Sequence, residues 1–571
     1  MSRPREGDGI KRTIRRRGDK LYAYEITSKM ENGKKVTVSN YLGRVDPETN
    51  ELMEKIPEKS AEHRKKIAEQ RDIRILEDIV IGDYGGVYLL DNIQKRIHLG
   101  EDLNACFGGV SKNMIAIAIS LIQCNGVFDS VEGMMHRTWT RRYYDIVGTL
   151  DSGTLSRMTK EIGTKAECNI EAFFERRVRR GSGLVAWDTT TVGCHTDMDG
   201  MAEYVIDNKD NEPMKQVKIG LATDMRGVPL MYRHYAGNVS DMDTVRFLAN
   251  DIESYGRKDA MFVMDRGFCS GWNVRFMLSN GHRFVIPATT SSKAVKRLLT
   301  QFNKSKDVVD MEHEGHMYRV WKTEIGICEA KGRTKADGEQ AYMFTTDEDD
   351  NHGSEGRFTA YVCYDSKKFS DEVQSHKRMI NDLLNIAKGI DAKDPVSVFR
   401  SKAGKAAKHF DIEADGRRLK VSVKQNSESF ETNRAGLFVM LSSKDLDWHT
   451  VMRAYDARRL TEQVFDRKKG ESKRFHTSDK ATMKGREFLL FLDLVLRCEM
   501  SAEIREAKLE RPMTVESAIS MADCVQAREY NSVRMIREID RKEREIFRTF
   551  KVPIPKEVLT GQLIFDPSAD G

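Results

Sequence analysis

Two short apolar runs, each ending in an aspartate, constrain the fold of this chain most. They read GLVAWD, ending at Asp188, and AMFVMD, ending at Asp265. Continuous apolar runs of this length predict strands that are buried on both faces, which is typical of the central sheet of an α/β protein. We therefore expect each aspartate to lie where its strand ends, at the edge of the sheet where ligands usually bind.

The meaning of these two acids depends on whether they act together. Taken alone, either aspartate is better explained as a turn residue or a helix cap than as a ligand. A buried carboxylate needs a partner, however, and a divalent cation can satisfy several carboxylates at once. A third acid in a suitable place would therefore favour a cation site.

The third acid lies in the stretch YDARRLTEQVFDRKK, residues 455–469, which we predict to be a helix. At 3.6 residues per turn, four of its polar side chains fall within about 60° of one another on the helix surface. They are Tyr455, Arg458, Glu462 and Lys469. The apolar flank that would pack on a core consists of Val451, Leu460, Val464 and Phe465. A solvated face with charge pairs four residues apart is the ordinary alternative.

The order of predicted elements is β-β-β-α-β-α-β, with acids after the first and fourth strands. The helix with Glu462 follows Asp265 only after about 195 residues, far more than a connection needs, so we expect a β-rich insertion at 292–445. RNase H-like nucleotidyl transferases have a similar order and carry their last acid on the next helix. The expected fold class is therefore α/β, with an RNase H-like mixed sheet interrupted by that insertion.

The residues also carry a resemblance to a family. Tyr455, Arg458, Glu462 and Lys469 match the Y-(2)-R-(3)-E-(6)-K signature of the insertion-sequence DDE transposases grouped with insertion sequence four. Asp188 and Asp265 resemble the first and second acids of that family, and Asp241, three residues after Asn238, resembles a further element. The resemblance covers the chain from about Gly183 to Leu496.

This resemblance implies an enzyme that cleaves DNA at the ends of a mobile element and transfers the 3′-OH ends into target DNA. Asp188, Asp265 and Glu462 would be catalytic and would bind two Mg²⁺ ions, for which Mn²⁺ can substitute. Tyr455, Arg458, Lys469 and, less specifically, Arg266 would contact DNA. The implied partners are double-stranded DNA with terminal inverted repeats, target DNA and a second copy of the chain. An RNase H-like nuclease acting on DNA structure and a non-catalytic DNA-binding relative are the alternatives.

The predicted organisation has six parts. They are a basic arm with a small β hairpin unit at 1–45, a helical DNA-end-binding domain at 46–170, the first half of the core at 171–291, the insertion at 292–445, the second half of the core at 446–500, and a C-terminal helical region with an arm at 501–571. In the helical domain, arginines alternate with Trp139, Tyr143 and Tyr144, which is typical either of a nucleic-acid surface or of a helix interface.

Composition sets limits on the partners and the compartment. With 94 Lys and Arg against 88 Asp and Glu in 571 residues, the net charge of +6 permits a polyanionic partner without indicating one. The nine cysteines are scattered without metal-ligand spacing, which is typical of reduced thiols in a cytoplasmic protein. No secretory signal or membrane span is expected, because the apolar stretch 114–122 is too short to cross a bilayer. We also interpret His195, Asp197 and Asp199 as a polar loop.

Overall fold

The computed structural model describes residues 10–31, 34–53, 65–66, 79–148, 150–194, 203–205, 214–290, 292–334, 340–346, 356–424, 434–471, 474–475, 479–530 and 533–556. The chain divides into two compact units. One comprises residues 1–81, 528–535 and 558–571, and the other comprises residues 82–527 and 536–557. The loop with His195, Asp197 and Asp199, the Asn32-Gly33 turn and the C-terminal arm from 557 onward lie outside the described residues.

The first unit contains a three-stranded antiparallel sheet. Its strands are β1 (Ile10–Arg17), β2 (Lys20–Glu31) and β3 (Lys34–Val45), in that order. The predicted hairpin is confirmed, since β2 and β3 pair from Leu21↔Val45 to Glu31↔Lys34. The stretch predicted as a basic arm forms a strand from Ile10 onward, since β1 pairs with β2 along its whole length.

Helices follow from residue 85 to residue 180, after the short strand β4 (Val80–Asp83). They are α1 (Gly85–Arg96), α2 (Leu99–Phe107), α3 (Ser111–Gln123), α4 (Val131–Arg137), α5 (Thr140–Tyr143), α6 (Ser152–Thr164) and α7 (Glu171–Arg180). The residues of α3 from Met114 to Ile122 are buried, as expected of a core helix. Taken as one helical run, Leu99–Gln123 is long and apolar enough to cross a membrane by composition, and 56% of its most apolar window is buried inside the protein.

The aromatic residues of this helical region serve its packing. Trp139 is buried, and the hydroxyls of Tyr143 and Tyr144 donate to the buried Asp91 carboxylate at 2.8 and 2.6 Å. Of the two uses of these rings that the sequence left open, their placement therefore favours the helix interface. DNA-end binding by this region stays a prediction.

A large mixed sheet forms the centre of the second unit. Its first strands are β5 (Leu184–Cys194), β6 (Glu203–Val205), β7 (Met214–Thr223), β8 (Pro229–Ala236), β9 (Met261–Met264) and β10 (Arg283–Pro287), with helices α8 (Asp241–Ser254) and α9 (Gly271–Ser279) between them. β9 pairs in parallel with β5 on one side and with β10 on the other, whereas β7 is antiparallel to β5. The expectation that β5 ends at Asp188 is wrong, because the strand continues to Cys194.

The predicted insertion is β-rich, and its longest strands extend this same sheet. Its elements are α10 (Lys293–Phe302), β11 (Val309–His313), β12 (His316–Thr334), β13 (Gln340–Thr345), β14 (Gly356–Asp365), α11 (Ser366–Lys388), α12 (Pro395–Ala403), β15 (Phe410–Asp415), β16 (Arg418–Val423) and β17 (Leu437–Ser442). The strand order is β11-β12-β14-β17-β10-β9-β5-β7-β6. A smaller core joins α11 and α12 to the β15–β16 hairpin through Leu383, Phe399 and Phe410.

The remaining elements are mostly helical. They are α13 (Trp448–Glu471), β18 (Arg474–Phe475), α14 (Lys480–Glu506), α15 (Val515–Asp523), β19 (Gln526–Tyr530), β20 (Val533–Ile536) and α16 (Arg541–Thr549). The middle of α14 is apolar and buried, and the helix packs against β8 and α6. The region at 501–571, predicted to be helical, differs from that prediction between 526 and 536, where β19 and β20 form a sheet with β4.

The carboxyl group of Asp523 makes stability depend on pH. It accepts a hydrogen bond from Gln123 Nε2 at 2.9 Å, and burial, together with the nearby Asp83 charge, raises its pKa from 3.8 to about 7. Because the folded state holds a proton that the unfolded state has lost, this group makes the protein less stable as pH rises from about 4 to 7. We expect Asp523→Asn to raise the free energy of unfolding at pH 8 by about 2 kcal/mol. This is about half of what the pKa shift would give at a site without water, because the carboxyl group is partly open to solvent.

Urea unfolding of both proteins at pH 4.5 and pH 8 measures this difference. Asp523→Asn should have a higher free energy of unfolding than the wild type at pH 8 but not at pH 4.5. An equal change in stability at both pH values would show that Asp523 is already ionised in the folded protein at low pH.

Candidate active site

The helix α13 is anchored on the central sheet by its apolar face. Val451, Ala454 and Ala457 of this helix share one buried cluster with Ala186 of β5 and Val263 of β9. Val464, predicted on the apolar flank, is also buried. These contacts hold the helix across the two strands that carry the aspartates.

Two further contacts fix the helix at the level of Glu462. The hydroxyls of Thr461 on α13 and Thr223 on β7 are both buried and lie 2.7 Å apart. Leu460 packs against Gly227, where a Cβ atom would come within 2.7 Å of Leu460 Cβ and where φ is +78°. The turn after β7 therefore needs glycine both for its left-handed backbone and for the close approach of the helix.

Strand pairing places the two aspartates side by side. In the parallel register of β5 and β9, Trp187 lies opposite Met264, and Asp188 and Asp265 are the next residues of their strands. Asp188 is half-buried and accepts a hydrogen bond from the Thr189 backbone N–H at 2.8 Å. Asp265 is more exposed and begins the short 3-10 turn Arg266–Phe268.

Arg458 connects the helix acid to the strand acids. Its guanidinium forms an ion pair with Glu462 through Nη2 and lies 3.6 Å from Asp265 Oδ1 through Nη1. One guanidinium therefore spans both carboxylates. Burial, with a smaller contribution from the charges of Glu462 and Asp265, raises the pKa of Asp188 to about 6 against the opposing effects of the Thr189 N–H and Arg458. The structure thus brings together all three acids that were predicted from the sequence.

The position of Arg458 differs from the one expected of a residue that only binds DNA. It is 4% exposed, and its guanidinium lies 5.8 Å from the centre of the Tyr455 ring. Among the described residues no acceptor contacts its Nε. A buried cation of this kind needs anions nearby, which here are the carboxylates.

The other predicted DNA-binding residues have different surroundings. Tyr455 is half-buried and packs against the cluster that anchors α13. Arg266 is exposed in the turn that follows Asp265. Lys469 lies in the last part of α13, and its side chain is outside the described residues.

A second ion pair, not predicted from the sequence, lies beside Asp188. Asp241 Oδ1 accepts hydrogen bonds from Lys218 Nζ at 2.7 Å and from Thr189 Oγ1 at 2.6 Å. Because Thr189 also donates its N–H to Asp188, this pair restrains the backbone next to the first acid. In the sequence, Asp241 is noticeable because it starts a predicted helix shortly after Gly237-Asn238. No residue near it in the sequence indicates its contacts with Lys218 and Thr189.

A family comparison agrees with this geometry. Residues 180–492 match the family model described as Transposase DDE domain, a span that contains all three acids and Arg458. The chain belongs to the DDE transposase family. As a DNA transposase it cleaves DNA and transfers DNA strands, and enzymes of this family generally use divalent metal ions.

The transposase has little further similarity to known proteins in the two remaining comparisons. No curated protein sequence matches it. A solved structure, the piggyBac transposase synaptic complex with hairpin DNA, is similar with a TM-score of 0.30 and 10% sequence identity, covering 84% of this chain and 79% of that chain. A likeness at this score supports no conclusion about the transposase.

The donor set of the transposase fits a divalent cation. The three carboxylates lie near the point where β9 ends beside the middle of β5, and their mutual repulsion contributes to the raised pKa of Asp188. Hard cations prefer such oxygen ligands and retain waters on their open side. Arg458 is paired with Glu462 and Asp265. Some described acidic and histidine side chains form compact groups in which all ligand atoms lie within 4.8 Å of one another, and the three acids do not form such a group.

One such compact group is formed by His313, Glu314 and Asp456. His313 Nε2 lies 2.5 Å from Asp456 Oδ2, and Arg459 Nη2 lies 3.1 Å from the other oxygen of that carboxylate. These contacts tie the β11–β12 hairpin to the outer side of α13. An arginine and a histidine already satisfy Asp456, so the arrangement is explained as a hydrogen-bonded clamp.

The Thr223 and Thr461 pair provides a test of how α13 is held. Thr461→Val should lower the free energy of unfolding by about 1–3 kcal/mol, because it leaves the buried Thr223 hydroxyl without its partner. Adding Thr223→Val should recover most of that loss, since the two apolar side chains have nearly the same shape as the threonines. Chemical denaturation of the wild type, both single variants and the double variant measures the coupling. Additive losses would mean that the hydroxyls do not depend on each other.

Proposed function

We propose that Asp188, Asp265 and Glu462 are the metal-binding catalytic acids of the transposase, on an RNase H-like core. The observation that carries this proposal is the contact of one buried arginine with Glu462 and Asp265, while Asp188 lies beside Asp265 on the adjacent strand. The strand and helix order from β5 to β10, with Glu462 on α13, supports the RNase H-like assignment.

The proposed cofactor is Mg²⁺, with Mn²⁺ as a substitute and two ions per site. Bound there, the two ions would stabilise the attacking and the leaving oxygen of a phosphodiester during in-line displacement. Asp188 lies deepest of the three acids and is the proposed shared ligand, with Asp265 and Glu462 on either side. The strand register and the packing of α13 hold these carboxylates in place.

Arg458 has two alternative sets of partners in this proposal. Arg458 neutralises Glu462 and Asp265 when these acids have no other counter-ion. When cations are bound to the acids, its planar guanidinium can pair with a phosphate instead. Tyr455, Lys469 and Arg266 are the other proposed DNA contacts. The Y-(2)-R-(3)-E-(6)-K spacing then has a physical basis, since it places a phosphate-binding arginine one helical turn before the catalytic glutamate.

The proposed reaction is strand cleavage at terminal inverted repeats followed by joining of the 3′-OH ends to target DNA. It assigns the transposase to the group that carries the Y-R-E-K signature and acts in the cytoplasm as a homodimer on paired DNA ends. The eight cysteines described are all free thiols, which agrees with a reducing compartment.

Conservative substitution of each acid tests the catalytic assignment. Asp188→Asn, Asp265→Asn and Glu462→Gln should each lower Mg²⁺-dependent nicking of an end substrate by at least about 100-fold, because each removes a charged ligand. Asp307→Asn, at an exposed position in the turn before β11, is the matched control and should cleave like the wild type. The measurement is the initial rate of nicking on labelled duplex, with thermal unfolding to verify that every variant is folded.

The substrate distinguishes this proposal from its two alternatives. The DNA to use is the sequence that flanks the encoding gene, with and without short inverted repeats. Cleavage restricted to the repeats is the expected result. Cleavage of branched DNA of any sequence would instead identify a structure-specific nuclease, and binding of the repeats without cleavage would identify a non-catalytic relative.

A further inference from the structure

The N-terminal sheet has two chemically different faces. Side chains alternate between the faces along each strand, and the register aligns them across the strands. Arg15 lies opposite Tyr22, which lies opposite Arg44, and in the next row Tyr24 lies opposite Tyr41. We call the surface formed by these five residues the tyrosine face.

The rings and guanidinium groups of the tyrosine face are in contact. The Tyr41 ring lies 6.0 Å from that of Tyr22 and 5.6 Å from that of Tyr24, and the Arg15 guanidinium lies 5.4 Å from the centre of the Tyr24 ring. Tyr41 is nevertheless 48% exposed, and Arg15 and Arg44 are exposed. The aromatic cluster therefore forms a surface instead of a core.

Two buried apolar side chains lie on the opposite face. Ala23 and Val45 are buried on that side, and Leu52 Cδ2 lies 3.1 Å from where a Cβ atom of Gly43 would be. Val45 also forms a bridge with Leu52 after the end of β3. The two faces therefore differ in character, since apolar side chains of the sheet, buried ones such as Ala23 and Val45 and exposed ones such as Ile14 and Val38, lie opposite the tyrosine face.

The charges of the two faces differ as well. Among the side chains of the sheet that the structure describes, the cations that share the tyrosine face with Arg15 and Arg44 are Arg17 and Lys20, and no carboxylate lies on it. The opposite face carries Arg12 and Arg16 together with Glu25, which pairs with Arg12 in the register. In this part of the sheet, the charged side chains of the tyrosine face are therefore all cations, whereas the other face carries both signs of charge.

We propose that the tyrosine face binds the phosphodiester backbone of duplex DNA. Exposed arginines gain binding free energy by displacing the counterions of DNA, and tyrosine hydroxyls donate hydrogen bonds to phosphate oxygens. An antiparallel sheet of three strands presents these groups at the spacing of neighbouring strands, and sheets of this kind are known to lie in a DNA groove. The inference rests on the proposed function in one respect, since it names a surface that holds the DNA on which the transposase acts.

The arginines of the two faces give a matched test in the full-length protein. Arg15→Gln with Arg44→Gln changes the tyrosine face, and Arg12→Gln with Arg16→Gln changes the opposite face of the same sheet by the same net charge. Affinity for a duplex of about 30 base pairs, roughly three helical turns, is measured by fluorescence anisotropy in EDTA over a range of salt concentrations. EDTA prevents cleavage, so the result does not depend on whether the catalytic acids are correctly assigned.

We expect the tyrosine-face pair to weaken binding by at least about tenfold and to lower the slope of log affinity against log salt by about 2, one contact for each arginine. The opposite-face pair should change either quantity by less than half as much. Equal effects of the two pairs would overturn the proposal, because net charge would then explain both. Unchanged binding by the tyrosine-face pair, with unaltered thermal unfolding, would overturn it as well.

Discussion

The parallel pairing of β5 with β9 is the contact on which the candidate active site depends. Asp188 and Asp265 are far apart along the chain, and only this register makes them neighbours. The pairing is stabilised by burial of Ala186 and Val263, and the apolar face of α13 packs on the same two strands. Glu462 therefore reaches the site through the same hydrophobic cluster that aligns the aspartates, so one core positions all three acids.

The electrostatics of the site follow from that packing. Arg458 is buried because α13 lies flat on the sheet, and a buried guanidinium needs carboxylates close to it. Glu462 and Asp265 in turn lie near a third acid whose pKa they raise. A second pair, Lys218 and Asp241, holds the backbone beside Asp188 through Thr189. The largely buried cations Arg458 and Lys218 therefore depend on these carboxylates for counter-charge, whereas Glu462, Asp265 and Asp241 are also open to water.

Much of this arrangement could be predicted from the sequence. The AMFVMD run predicted β9 and the position of Asp265, because a short apolar run followed by a turn is typical of a buried strand. The end of β5 was predicted wrongly because Asp188 looks like a terminator, whereas the three threonines after it have β-branched side chains that favour extended backbone. The strand β1 was missed because four arginines and a lysine conceal its alternation.

The partners of Arg458 could not be predicted, for a different reason. Helical spacing identified Glu462 as its neighbour, but Asp265 reaches it only through the tertiary fold, and nothing in the local sequence indicates that contact. The same limit applied to Lys218 and Asp241. Periodicity and spacing inform about one element at a time, whereas ion pairs between elements depend on how the sheet is assembled.

The strand order of the central sheet has a consequence for how such chains can change in length. β17 is hydrogen-bonded to β10 and β14 to β17, so the insertion at 292–445 shares its backbone pairing with the sheet in which the two aspartates lie. Excising that segment would leave β10 as a bare edge with unpaired backbone groups, ready to recruit strands from other molecules. The β15–β16 hairpin and its two helices lie outside this sheet and can be shortened without that effect, whereas β14 and β17 cannot.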